Sequence, residues 1–194
     1  MATIATQTDE KTRTIDKEVF DKFKQRLLNN ISDDWLAVLD NPELDEIIPY
    51  LIPLDGKLSP PVEQIFEFAR LTKKRDICVI VLGQDPYPKA GHAHGLAFSC
   101  LVGIPASLRN IYQALYKSKL LSDMPDTGCL KKWAEQGILL LNLALTTITG
   151  SSNVHTELWT DYTANLIQEL TKKPIIALLW GNNAQSMEEF FGEK

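Results

Sequence analysis

Apolar and polar positions follow two rhythms along this chain, and the places where the rhythm changes predict its elements. Residues 15–29 set Ile15, Val19, Phe20, Phe23, Leu27 and Leu28 at helical intervals with Lys and Asp between them, which predicts an amphipathic helix. From Asp34 to Leu54 short apolar groups are interrupted by Asn41-Pro42 and Pro49, predicting short helices broken at the prolines. The segment DGKLSPP at 55–61 reads as a loop ending in a helix start. Ser59 is its expected cap, Pro61 fits the first turn, and Val62, Ile65, Phe66 and Ala69 form the buried face. Then the period changes. Ile77, Cys78, Val79, Ile80, Val81 and Leu82 are apolar in succession and mostly β-branched, as a parallel strand buried on both faces requires.

Beyond Gly83 the chain turns polar until Ile104-Pro105-Ala106-Ser107 opens a helical pattern carried by Leu108, Ile111, Tyr112, Leu115 and Leu120. Pro125 to Gly128 is a turn, and Leu130, Trp133 and Ala134 make a short helix that Gly137 closes. Ile138 to Leu141 is a second apolar strand, ended by Asn142. A Thr- and Ser-rich loop, Thr146 to Thr156, precedes a helix of Trp159, Tyr162, Leu166, Ile167 and Leu170. Pro174 then opens a third strand, IIALLWG, followed by a last helix. Trp133, Trp159 and Trp180 read as core.

Helix and strand in alternation predict right-handed crossovers and one parallel sheet, an α/β fold in a single domain over residues 15–194 behind a disordered polar tail, 1–14. All three strands end in glycine or a polar group: Gly83-Gln84-Asp85, Asn142, and Gly181-Asn182. In open α/β sheets ligands bind outside the carboxyl ends of the strands, so these ends are expected to share one cleft.

Composition narrows the function classes. With 194 residues, 44% of them hydrophobic, one core is the expectation. Three scattered cysteines without a CxxC pair argue for a reducing, intracellular compartment, nucleus or cytoplasm, and against a disulfide framework. No apolar run approaches the ~20 residues of a membrane span, so no membrane association is expected. The net charge of −5 argues against a nucleic-acid partner only until its distribution is considered. Of 25 acidic and 20 basic side chains, residues 1–60 hold 12 and 7, leaving 13 of each in residues 61–194. A neutral remainder can hold phosphates through main-chain amides, hydroxyls and helix N-termini. The acidic first third is a candidate surface for a protein partner.

The candidate chemistry begins at Gly83. Gln84, Asp85 and Tyr87 follow the first strand directly, and Pro86 and Pro88 stiffen the loop that carries them. His92-x-His94 with Cys100 is too sparse for a zinc site, and His94 reads as a structural hydrogen-bonding residue. Lys73-Lys74-Arg75 reads as a solvated helix end. Neither GxGxxG nor a P-loop occurs, so no nucleotide cofactor is expected, and no metal.

Four motifs in order, GQDPY at 83–87, HGLAFS at 94–99, GILLLN at 137–142 and LLWGNNAQ at 178–185, resemble those of the family-1 uracil-DNA glycosylases over roughly residues 35–191. The resemblance implies a three-layer α/β/α sandwich around a small, mainly parallel sheet, acting as a monomer. The reaction implied is hydrolysis of the N-glycosidic bond of uracil in single- or double-stranded DNA, a base-excision repair step that needs no cofactor. Such an enzyme takes the base out of the stack and reads it in a pocket. By similarity Asp85 is the catalytic carboxylate, stabilising an oxocarbenium-like sugar and orienting water. Phe98 stacks on uracil, Asn142 pairs with its O4 and N3, Tyr87 walls off the C5-methyl of thymine, and Gln84 contacts uracil through its main-chain amide. Pro105, Ser107, Gly181 and Asn182 match the loops that pinch the flanking phosphates.

Two departures from the family pattern are visible. Pro88 stands where the family usually has histidine, and the chain reaches Lys194 before any HPSPLS-like loop. The expectation is a domain shortened at its C-terminus, with its third strand an exposed apolar edge. Beside the enzyme stand two other readings: a glycosylase-like fold kept for DNA contact or for docking a replication partner, and a flavodoxin-like small-molecule domain.

Overall fold

The computed structural model describes residues 15–192, so the tail expected over 1–14 lies outside the described residues. Helix α1, Lys17–Leu28, starts where the Asp16 carboxylate accepts hydrogen bonds from Glu18 N and Val19 N at 2.8 and 3.4 Å, and it turns Phe23 and Leu27 inward. Helices α2, Asp33–Leu39, and α3, Pro42–Leu51, follow. Pro42 takes the first helical position, where its missing N–H costs nothing, and Asn41 Oδ1 accepts from Leu44 N at 3.0 Å. The break expected at Pro49 does not occur. A proline inside a helix costs ~3 kcal/mol. Burial of Leu44, Ile47, Ile48 and Leu51 outweighs this, at roughly 1.5–3 kcal/mol for each side chain.

Ser59 is not a helix cap. Leu58–Ser59 forms strand β1, which pairs antiparallel with β4, Thr147–Ile148, inside the segment expected to be plain loop. Neither dipeptide has a pattern long enough to reveal a strand. The Ser59 hydroxyl instead donates to Tyr87 O at 2.8 Å, so this ribbon grips the loop after the first long strand. Val62, Ile65, Phe66 and Ala69 are buried as expected, in a 3-10 turn and the short helix α4, Glu67–Leu71.

The main sheet has strands β2, Val79–Gly83, β3, Ile138–Asn142, and β5, Ile176–Leu179, in the order β3-β2-β5, all parallel. Ile80, Val81 and Leu82 at its centre are buried. Cys78 is not: it precedes β2, is exposed, and its thiol meets Gly137 O at 3.6 Å. Side chains alternate across the strands. Val79, Val81 and Leu178 line an open apolar groove beside Trp133 and helix α5, Ala106–Lys117, while Ile80 and Leu82 point the other way. Trp133 lies within α6, Lys131–Ala134. Helix α7, Thr156–Leu170, packs with α2 and α3. Helices α4 and α6 pack on β3, and helices with a parallel sheet make the α/β fold expected.

The aromatic centre is Trp35, Phe66, Phe68, Trp159 and Tyr162, all buried. Its polar atoms are satisfied: Trp35 Nε1 donates to Thr72 O at 2.7 Å and Tyr162 OH to Leu39 O at 2.8 Å. Two aromatic and aliphatic expectations fail at the edges. Leu120 lies past the end of α5 and is 72% exposed, and Trp180, at the end of the edge strand β5, is 40% exposed rather than core. Some acids of the first third are paired locally, as is Glu63 just beyond it. Lys24 pairs with Asp40 and Asp45 at 2.6 Å each, and Arg26 with Asp55 and Glu63 at 2.5 and 2.7 Å. Among the described residues no helix is long and apolar enough to cross a membrane.

Candidate active site

The parallel register places Gly83 opposite Asn142 and Leu82 opposite Leu179, so all three strands release their chains at one edge. The next residues are stitched together across that edge: Leu143 N donates to Gly83 O at 3.0 Å, Ala144 N to Gln84 O at 2.9 Å, and Ala97 N to Leu140 O at 3.1 Å. The Asn142 side chain lies against Gly83. Any Cβ on Gly83 would collide with Asn142 Oδ1 and sit 3.0 Å from Ala97 Cβ. Glycine is required here for close approach, not for a special φ.

Tyr87 and Phe98 meet on the same side. Tyr87 OH donates to Phe98 O at 3.2 Å and lies 3.0 Å from Ser107 Oγ, near the start of α5. The phenol has one proton for these two neighbours, and either hydroxyl can be the donor in the second contact. Burial pushes the Tyr87 phenol up, partly offset by the Ser107 hydrogen bond, so it stays a neutral donor. Phe98 holds a left-handed φ of 61° and its ring meets the edge of Trp180, with centroids 5.4 Å apart. Through Trp180 the aromatic group reaches Gly181 and Asn182, which are exposed at the start of α8, Asn182–Gln185. Pro105, half-buried, sets the first turn of α5, accepting from Arg109 N at 2.9 Å.

Asp85 is half-buried, and its Oδ2 accepts a hydrogen bond from Asn153 N at 2.8 Å. The Gln84 side chain turns aside to the Asn153 side-chain oxygen, leaving only its main chain beside the strand ends. Pro88, in the place of the family histidine, accepts from Gly150 N at 2.9 Å. The three histidines are engaged elsewhere. His92 Nδ1 is 3.3 Å from Cys100 Sγ, His155 Nδ1 is 2.9 Å from Thr146 Oγ1, and His94 Nε2 is 2.7 Å from Ser99 Oγ. Burial, with Lys131 nearby, lowers the His94 pKa to about 4, so the ring is neutral. Among the described residues no group of three His, Cys, Asp or Glu side chains is arranged to hold a metal.

Asn142 thus meets Gly83 at one strand-end edge, Asp85 and Tyr87 lie on the loop that leaves this edge, and Tyr87 reaches Phe98 through its hydroxyl. A family model described as the uracil DNA glycosylase superfamily matches residues 71–191, which contain all four motifs.

The chain belongs to this superfamily.

Uracil-DNA glycosylase from Desulfitobacterium hafniense is 42% identical over 140 residues, covering 70% of this chain and 62% of that protein. The enzyme of that name from Varicella-zoster virus is 40% identical over 183 residues, covering 87% of this chain and 57% of that one. The chain therefore spans about three-fifths of the length of these relatives. The crystal structure of mimivirus uracil-DNA glycosylase superposes with a TM-score of 0.77 at 30% identity, covering 88% of this chain and 68% of that chain. Within this glycosylase fold, the residue that sequence reasoning missed is Asn153. It lies in the Thr- and Ser-rich loop, and nothing in its local pattern links it to Gln84 or Asp85, more than sixty residues earlier.

Proposed function

We propose that this protein hydrolyses the N-glycosidic bond of uracil in DNA, releasing free uracil and leaving an abasic site. What supports the reading is the meeting of Asn142 and Gly83 at neighbouring strand ends, with Asp85 on the loop that follows. The flipped base lies against the Phe98 ring, where stacking on an aromatic is worth ~1–3 kcal/mol. The Asn142 amide donates to O4 and accepts from N3, a pattern that cytosine reverses. Rejection is strong because a mismatched base leaves buried polar groups unpaired. Tyr87, braced through its hydroxyl, stands against C5 and excludes the thymine methyl by its bulk. The Gln84 main-chain amide is the further contact to the base.

As the glycosidic bond lengthens, positive charge develops on the sugar, and the Asp85 carboxylate stabilises it and orients the attacking water. Ser107 on one side, set in place by Pro105, and Gly181 and Asn182 on the other, receive the flanking phosphates through main-chain amides and the hydroxyl, which need no net positive charge. The protein acts as a monomer and without a cofactor, and its three free cysteines fit a reducing, intracellular setting.

The test is release of uracil from a single-stranded oligonucleotide carrying one uracil, read as alkali-labile strand breaks. Asp85→Asn is expected to slow release by about 10²–10³-fold, the range for losing one electrostatic contact to the transition state, while DNA affinity changes little. Wild-type protein that yields no breaks above the enzyme-free control refutes the proposal.

A further inference from the structure

The loop between β4 and α7 holds both polar side chains that follow Gly83. Asn153 N donates to Asp85 Oδ2 at 2.8 Å, and Asn153 Oδ1 accepts from Gln84 Nε2. Asn153 does this from a left-handed φ of 60°, which asparagine and glycine tolerate and β-branched residues resist. The turn is tied down around it. Gly150 N donates to Pro88 O at 2.9 Å, Thr149 N to Lys57 O at 2.8 Å, and Thr147 Oγ1 to Ser151 O at 2.6 Å. Beneath it Thr146 Oγ1 is held by Trp159 Nε1 at 2.7 Å and by His155 Nδ1 at 2.9 Å. A segment built this firmly can dictate where a partner's carboxylate points.

We propose that Asn153 is a positioning residue for Asp85, setting the plane of its carboxylate through the main-chain amide; this rests on the uracil-hydrolysis reading above. A carboxylate on a short side chain rotates freely unless an oxygen is held. The Asn153 amide occupies one lone pair of Oδ2, so Oδ1 presents a fixed direction to the sugar and the water. The side-chain bond to Gln84 locks the neighbouring residue to the same turn. Asn153 touches neither the base nor the sugar in this scheme, and the effect of its main-chain amide on rate passes through Asp85 alone.

Two substitutions separate the two contacts. Asn153→Gly keeps the left-handed backbone and the amide but removes the side-chain acceptor, whereas Asn153→Val resists that φ and withdraws the amide. Single-turnover uracil release is expected to fall about 100-fold in Asn153→Val, the scale of an ångström misplacement, and only about threefold in Asn153→Gly. Affinity for the uracil oligonucleotide stays within about twofold in both. Placed on Asp85→Ala, Asn153→Val is expected to cost no more than the roughly threefold loss of the Gln84 contact, because residues acting as one unit are not additive. A full second loss in that background, or an undiminished rate in Asn153→Val, overturns the proposal.

A second measurement needs no turnover. The Asn153 amide proton resonance is expected to move upfield on Asp85→Ala, and the Asp85 carboxyl carbon resonance to shift in Asn153→Val but not in Asn153→Gly. Absence of both shifts overturns the positioning role even if uracil is released. Conversely, a wild-type chain that releases no uracil refutes the hydrolysis reading alone, and the resonances still decide whether Asn153 orients Asp85.

Discussion

Gly83→Ala adds one methyl group where β2 and β3 end side by side. The φ of Gly83 lies outside the left-handed region, so alanine meets no backbone strain, and its whole cost is steric. The new Cβ would overlap Asn142 Oδ1 and press on Ala97 Cβ at 3.0 Å. Asn142 is only 8% exposed, so its amide has little room to retreat. Overpacking of this kind costs ~1–3 kcal/mol. At about 2–4 °C per kcal/mol for a chain of this size, the melting temperature is expected to drop by roughly 2–12 °C. An Asn142 amide displaced by an ångström also loses its register on the base, for which about 100-fold in uracil release is the expected scale. Melting curves and oligonucleotide assays on Gly83→Ala, Asn142→Ala and the double variant check both numbers. Trimming Asn142 removes the obstacle, so the double variant is expected to melt close to Asn142→Ala alone. Stability losses that simply add, to within about 0.5 kcal/mol, would refute the contact as the reason for glycine.

Two further outcomes are expected. His94 is held neutral, with a pKa near 4 against an ordinary 6.5. The unfolded chain therefore takes up the proton first, and stability falls as pH drops from about 6.5 to about 4, by roughly 3 kcal/mol at the bottom of that window. His94→Gln keeps a hydrogen-bonding side chain for Ser99 without titrating, so its urea midpoint should fall less than that of wild type between pH 7 and pH 4.5. Equal losses in the two proteins would assign the acid sensitivity to other groups. Phe98→Ala removes the stacking face and is expected to weaken binding of uracil-containing DNA by ~1–3 kcal/mol, read by fluorescence anisotropy. An unchanged affinity would place the base elsewhere.

Much of the candidate site was legible because Gln84 and Asp85 directly follow, and Asn142 ends, a strand whose apolar run is unmistakable. Ile80 to Leu82 and Leu139 to Leu141 have no stable place except the interior of a sheet, and the residues after them must emerge at its edge. The helices of α1, α5 and α7 were legible for the same reason, each burying one stripe of a 3.6-residue period. Ser59 and Pro49 misled because each is a strong local signal overridden by distant partners: Ser59 by the β4 strand and Tyr87, Pro49 by the burial of its own helix. Trp180 misled because a large aromatic at the end of an apolar run resembles core, and only the strand order puts it on an edge.

Sequence alone determined which residues could form the strands, where those strands stop, and that a carboxylate and an amide stand at their ends. Burial of apolar runs is a local demand that the chain states openly. Tertiary structure decided the register that lays Asn142 on Gly83, the hydroxyl pairing of Tyr87 with Ser107, and the reach of Asn153 across to Asp85. Each of these joins segments far apart in the chain through a single directed contact, and a single contact leaves no period in the sequence by which to recognise it.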